Sequence, residues 1–424
     1  MHIALQSTFR KIIFLGSSLI LCTAYLSICT RQFLAAHFSE KPDLKSLEKA
    51  VALEPINADY QYILGRYHLF LDQDPATAVR LFQSAISLNP YRAIYWLDLA
   101  TSYQLLRQEP QETEAVEKAI AIDPRTPETA WQAANRFWAM GNIDKAMSQF
   151  RIVAQSDPHL LSATMERCWR IRPDANFLLT SVLPPQPDIY SNFLEFLISK
   201  NQPEAAAATW TQLAQLHSSV STRYIFEYIH YLISQKEVDR ALGVWKDAAN
   251  LADLSGYQPS PQNRVVNGDF SLPVLNGGFD WMYETIPGVA LAIDPTEGHS
   301  AQQSLSIEFN GTGVQDAGIR QLIPIEPNTD YDFSASFKSE NIEGAGGPRL
   351  RLEDAFSGIS YFESEDLKDA DFWKPVNGTF STTSDAKLLL LRIERVPVND
   401  AIRGRLWLDG VRLAEHHHSA AGAE

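Results

Sequence analysis

No HExxH pair, no CxxC pair, no phosphate-cradling glycine loop and no strained nucleophile elbow occurs in the 424 residues. The usual signals of zinc peptidases, thiol redox centres, nucleotide sites and serine hydrolases are therefore missing. Cysteine is scarce, with three in the chain, too few for a disulfide framework. Cys22 and Cys29 lie in an apolar N-terminal run, Cys168 stands alone in a helical region, and none follows. A chain without thiols after Trp169 folds safely in an oxidising compartment. Basic charge is also short: 36 Lys and Arg face 51 Asp and Glu, for a net charge of −15. Residues 264–415 hold 24 acidic and 13 basic side chains, which is −11 of that −15. Such a domain repels phosphate backbones, so nucleic acid is excluded as its ligand.

What the chain does have begins at the N-terminus. Residues 12–30 carry no charge over 19 positions, preceded by Arg10 and Lys11 and closed by Arg31. As a helix this length crosses the hydrocarbon core. A cleaved signal peptide needs a shorter apolar stretch and a small-x-small exit, and Leu34-Ala35-Ala36 matches poorly. An uncleaved anchor is expected, with residues 1–11 cytoplasmic. The charges at Arg31, Lys41 and Lys45 weaken the orientation that Arg10 and Lys11 indicate.

The strongest internal signal is a repeat. Helical phrases end at Leu53-Glu54-Pro55, Leu88-Asn89-Pro90, Ile122-Asp123-Pro124 and Ser156-Asp157-Pro158, with prolines 35, 34 and 34 residues apart. Trp96-x-x-Leu99-Ala100-x-x-Tyr103, Ala78-x-x-x-Phe82-x-x-Ala85 and Ala146-x-x-x-Phe150 recur within them. Small residues let paired helices approach, aromatics fill the adjoining groove, and proline forces the turn. These residues resemble the tetratricopeptide repeat, and the resemblance implies a helical solenoid over 40–252 whose groove recruits a protein partner. The best repeats cover 58–158. Degenerate ones, marked by Ala206-x-x-x-Trp210 and Ala241-x-x-x-Trp245, cover 160–252, and the prolines of 179–188 interrupt the array. Tyr91, Arg92, Arg107 and Arg136 are groove candidates.

Composition changes at residues 253–263, a Pro/Ser/Gly linker, and period-two alternation follows at Leu305, Ile307, Phe309 and Tyr331, Phe333, Ala335, Phe337. Apolar runs at 388–391 and 406–408 predict central strands, and short strands over about 150 residues predict a sandwich or jelly roll. Asn310-Gly311 and Asn377-Gly378 read as hairpin turns before they read as glycosylation sequons. Glu363, Glu365, Asp366, Asp369 and Asp371 read as an exposed acidic loop. His416-His417-His418 falls in a solvated tail, residues 416–424.

Val266-Asn267-Gly268-Asp269-Phe270, the segment 321–331, Trp373 and Leu406-Trp407-Leu408-Asp409-Gly410-Val411 are similar to galactose-binding-like jelly rolls, notably carbohydrate-binding modules of families four and nine. The resemblance covers 264–415 and implies a β-sandwich, a polysaccharide ligand, and Trp373 and Trp407 in the core. It also implies a structural calcium at Asp269 and Asp409, although Ser271 stands where the family has an acidic residue. A turn-forming Asp269 and a solvated Asp409 is the alternative. Sugar faces stack on aromatic rings, and the candidates are Trp281 and Tyr283 in one loop and Tyr361 and Phe362 in another. The expected protein is a multidomain α and β chain: transmembrane helix, solenoid, jelly roll. Its expected role is a non-enzymatic, membrane-anchored scaffold of a bacterial envelope, its C-terminal domains periplasmic or extracytoplasmic, in the assembly or export of a cell-surface polysaccharide. A protein-only scaffold and a glycan-active enzyme are the alternatives.

Overall fold

The computed structural model describes residues 8–416. Most of the expected cytoplasmic N-terminus and all but His416 of the histidine tail lie outside the described residues. Two compact units are present, Met1–Pro185 and Gln186–Glu424, and the proline-rich stretch 179–188 contains the division.

The first unit opens with α1 (Thr8–Ser39), a helix long and apolar enough to cross a membrane. Only Ala35 of it is buried. Helices α2 (Leu44–Leu53), α3 (Ala58–Phe70), α4 (Pro75–Leu88), α5 (Ala93–Leu105), α6 (Glu109–Ile122), α7 (Pro127–Ala139), α8 (Ile143–Ser156), α9 (Pro158–Ile171) and α10 (Ala175–Phe177) follow. The phrase-ending residues Glu54, Asn89, Asp123 and Asp157 have φ between −133° and −143° and ψ between 75° and 99°. A following proline disfavours the helical region at that position, so each helix ends there. Ala78, Phe82, Ala85, Ala100, Val116, Ala119, Ala146 and Phe150 are fully buried. Gly65 shows how close the helices come, since a Cβ there would sit 2.8 Å from the Phe82 ring.

The second unit begins with α11 (Pro187–Ser199), α12 (Pro203–Gln215), α13 (Thr222–Ser234) and α14 (Val238–Leu251). Ala206, Trp210, Ala241 and Trp245 are buried at the positions the degenerate repeats require. The strands are β1 (Met282–Tyr283), β2 (Val289–Asp294), β3 (Ser304–Gly313), β4 (Asp316–Pro324), β5 (Asp330–Gly344), β6 (Pro348–Asp354), β7 (Ser360–Glu363), β8 (Lys374–Ser381), β9 (Leu388–Arg395) and β10 (Ala401–Glu415). They form two antiparallel sheets, β1-β4-β9-β6-β7 and β2-β3-β10-β5-β8. Between them lies a core that includes Phe270, Trp281, Tyr331, Phe333, Leu391, Leu406 and Leu408.

Residues 253–263 are an ordered connection. The Trp245 indole N–H donates to the Tyr257 carbonyl at 2.7 Å, and the Tyr257 hydroxyl donates to the Pro273 carbonyl at 2.8 Å. Gly277 and Gly278 admit the rings of Phe226 and Trp245, which a Cβ would meet at 2.3 and 2.1 Å. Leu322 points away from the core, because its neighbours Ile323 and Gln321 are fully buried, and it shares an apolar pocket with Ile229 and Ile233 of α13. Helices therefore cover part of the outer face of the β4 sheet. Both Asn-Gly pairs lie inside strands, not at hairpin turns, with Asn310-Gly311 in β3 and Asn377-Gly378 in β8. Gly378 is needed there because the Phe362 ring lies where its Cβ would be, at 2.3 Å.

Candidate functional site

The four aromatic candidates do not come together. Trp281 and Tyr283 lie at β1 and Tyr361 and Phe362 in β7, at opposite edges of one five-stranded sheet, about 19 Å apart across four inter-strand steps. Trp281 is fully buried and its indole N–H donates to the Asn267 carbonyl at 3.1 Å. It presents no face to a ligand. Phe362 packs on Phe333 at 5.1 Å between centroids, and Tyr361 stacks on Phe380 at 5.6 Å. Tyr283 alone of the four is exposed, at 52%. Within the acidic cluster, Glu363 and Asp366 are both paired with Arg349, at 2.7 and 2.8 Å.

A different set of side chains gathers on the outer face of the β10 sheet. Leu406 and Leu408 are in the core, so period-two geometry turns Trp407 to the opposite face. Trp407 is paired with Ser306 on β3 and Lys338 on β5. Phe337 pairs with Lys374, which continues this row to Trp373 just before β8. The Lys338 ammonium lies 5.3 Å and the Arg405 guanidinium 5.5 Å from the Trp407 ring centroid, each within cation–π range. Glu297 holds Lys338 at 3.0 Å, and the His299 ring packs on Trp373 at 5.6 Å. The next row places Arg405 between Glu308 and Glu340. These residues line a cleft of about 320 Å³ with Asn341, Glu343 and Arg403.

Trp407 is buried, as the motif resemblance implies, but it and the half-buried Trp373 lie outside the core between the two sheets. The run Leu406-Trp407-Leu408 looks like a strand apolar on both faces. Alternation alone separates the indole from its neighbours, and that signal was present in the sequence. Asp294 fixes the ring by accepting its N–H at 2.9 Å. Hydrogen bonds from Thr296, then from Trp407, hold the Asp294 carboxyl down at about 2.

Asp409 is neither solvated nor available to a metal. It is fully buried, and its two oxygens accept from the His299 N–H (2.6 Å), the Ser300 N–H (2.7 Å), the Ser300 hydroxyl (2.6 Å) and the Gly410 N–H (2.6 Å). A carboxylate has about four lone-pair positions, and all are filled. Asp269 accepts from the Ser271 hydroxyl at 2.8 Å, the turn-forming arrangement. Among the described residues, no group of three or more His, Cys, Asp or Glu side chains is placed to hold a metal. This donor set does not fit calcium, which takes six or more oxygens. Asp409 instead pins the loop that carries Glu297 and His299 to the outer face.

In the solenoid, the first helices share a polar ladder. The Tyr62 hydroxyl donates to Asp98 at 2.8 Å, and Arg66 lies 3.4 Å from the same carboxylate. Arg136 donates to Thr101 at 2.5 Å and Gln104 at 2.6 Å and lies 3.8 Å from Glu112. Burial raises the carboxyls of Asp98 and Glu112 and lowers Arg136. Tyr91, Arg92 and Arg107 are exposed.

Helix pairs at a period of 34 to 35 residues, then a sandwich of two five-stranded sheets, make this a tetratricopeptide-type helical solenoid followed by a β-sandwich jelly roll. No family profile matches the chain, and no curated protein does. Among solved structures it is similar to the crystal structure of MamA, at 24% identity over 34% of this chain and 85% of that one, with a TM-score of 0.28. It is similar to a family 4 carbohydrate-binding module at 14% identity over 36% and 99%, with a TM-score of 0.27. It is also similar to YrrB, "a TPR protein with an unusual peptide-binding site", at 18% identity over 41% and 75%, with a TM-score of 0.24. None of these likenesses bears on ligand or partner.

Proposed function

We propose that this protein is a non-enzymatic scaffold of a bacterial envelope, anchored by α1, whose jelly roll binds a glycan and whose solenoid binds a protein partner. The row Trp407–Lys338–Trp373 on the outer sheet face supports the glycan reading. The half-buried indole of Trp373 offers a face to the apolar side of a pyranose, while Glu297, Glu308, Glu340 and Arg405 offer partners for its hydroxyls. The buried Asp98 and Glu112 hold Arg66 and Arg136 in place, and these arginines, half-exposed and partly exposed, give the solenoid a fixed polar surface for a peptide. Glycans of the surface lie outside the cytoplasm, so the jelly roll is periplasmic or extracytoplasmic, and a role in assembling or exporting a surface polysaccharide follows.

A glycan array probed with the full chain in nanodiscs tests the sugar reading. Retention of a subset of glycans is expected, and a blank array would leave a protein-only scaffold. That second reading draws on one observation: Trp407 is only 5% exposed beneath its two cations, while Phe372 beside Trp373 is 84% exposed. A C-terminal alkaline phosphatase fusion tests the topology. An inactive fusion alongside an active cytoplasmic reporter would place the domain inside.

A further inference from the structure

Helix α1 is joined to the solenoid without a flexible tether. It runs unbroken from Thr8 to Ser39, so the uncharged stretch 12–30 and the segment that meets the solenoid are one rod. The contact is made by its last turns. Ala35 is fully buried, and the Lys49 ammonium of α2 lies 5.3 Å from the Phe38 ring centroid. Lys49 lies in the second half of α2 (Leu44–Leu53) and α1 packs back along α2, so α1 runs toward the edge where second helices end and first helices begin. From Ser39 back to Arg31 is eight residues, about 12 Å of helix. The headgroup layer on one side of a bilayer is about 5–7 Å deep. If α1 spans the membrane, that solenoid edge is held within reach of the headgroups.

Two loops on that edge carry exposed apolar or aromatic tips. Ile56, in the α2–α3 loop, is 78% exposed, and Tyr91, in the α4–α5 loop, is 81% exposed. They are one repeat apart, 35 residues, and therefore stand side by side along the solenoid edge. Arg92 follows Tyr91 and is also exposed. An aliphatic tip, a tyrosine and an arginine are the residue types that settle at a membrane–water interface. Nearby charge is mixed, since Lys41, Lys45 and Lys49 are offset by Glu40, Asp43, Glu48 and Glu54, so attraction to anionic lipid is not the driving term.

We infer that the edge bearing Ile56 and Tyr91 rests on the lipid surface, so that the solenoid is held against the membrane by its first repeats as well as by the span. The inference depends on α1 being a membrane span. Its consequence is a fixed presentation: the first-helix surface with the Tyr62–Asp98 contact and Arg136 keeps one orientation to the bilayer.

The test uses the full chain in phosphatidylcholine nanodiscs, with Cys22, Cys29 and Cys168 replaced by alanine and an environment-sensitive dye on Ile56→Cys, Tyr91→Cys or Phe70→Cys. Phe70 is 51% exposed at the other end of α3, about 18 Å away. Lipids spin-labelled near the headgroup should quench most of the emission at positions 56 and 91 and little at 70. Equal, weak quenching at all three, in protein that resists carbonate extraction, overturns the inference and leaves the anchor standing. Loss of the protein on carbonate extraction removes the anchor itself. Dye burial that grows with protein concentration and ignores the spin label assigns the edge to a second copy, which also overturns it.

Discussion

The indole N–H of Trp407 donates to the Asp294 carboxylate at 2.9 Å, joining the last residue of β2 to the centre of β10 across β3. The bond sits on the outer face, in the same layer as Lys338 and Arg405, and fixes one ring edge while the cations cover the ring. Asp294 is held near 2, below the ordinary carboxylate range, chiefly by Thr296 and then by Trp407. For a depressed acid, the stabilisation is complete above the unfolded value, about 3.9, and is lost as pH falls through the folded one. Acid unfolding of the jelly roll should therefore steepen between pH 4 and 2, and Asp294→Ala should flatten that limb. The Asp294 carboxylate is close to solvent, so screening should hold the cost of the variant at pH 7 to about 1 kcal/mol. An unchanged acid limb in urea titrations would rule this out.

Trp373 makes the sharper functional prediction because its ring is less covered. Trp373→Ala should weaken glycan retention about tenfold, equivalent to about 1.4 kcal/mol of lost stacking. Tyr361→Ala, on the other sheet, should leave retention unchanged. Isothermal titration with any glycan retained by the array decides between them, and the reverse order would move the site back to the β7 edge.

The solenoid and the sandwich were legible in the sequence because each rests on a period. The pre-proline residues Glu54, Asn89, Asp123 and Asp157 stop helices by local sterics, so one residue type at one spacing suffices. The site was less legible, because which face of a strand is free depends on what packs over it from elsewhere. Trp281 looked like an exposed loop aromatic, yet Asn267 and the core enclose it. Trp407 looked like core, although alternation against Leu406 and Leu408 held the answer. Asp409 looked like a calcium ligand or a solvated acid until the His299–Ser300 loop, over a hundred residues away in sequence, supplied its donors.

Helix spacing in the first repeat gives a stability prediction. Gly65→Ala would bring a methyl group to within 2.8 Å of the buried Phe82 ring. Neither helix can retreat without opening the Ala78–Phe82–Ala85 contact, so overpacking should cost about 1–3 kcal/mol. Ala100→Trp, at a fully buried site in α5, should cost at least as much. Hydrogen exchange should show faster opening of α3 to α6 with the β strands unaffected. Full protection in either variant would mean these helices are less tightly apposed than Gly65 implies.

Asp280 reverses the sign of the Asp294 effect. Its side chain is fully buried, one oxygen accepts from the Leu275 N–H at 2.7 Å, and the other has no partner. Burial pushes its carboxyl up to about 6. Between about 4 and 6 the folded chain then holds a proton that the unfolded chain has released. Stability from this group therefore falls as pH rises through that window, and above it the penalty is constant. Replacing the carboxylate by an amide keeps an oxygen for Leu275 and removes the buried charge. Asp280→Asn should thus stabilise the jelly roll by about 1–3 kcal/mol at pH 8 and by almost nothing at pH 4. The measurement is urea unfolding of both chains across that range, followed by exchange of the β-strand amides. A gain that is the same at pH 4 and pH 8 would show that packing, and not charge burial, sets the effect.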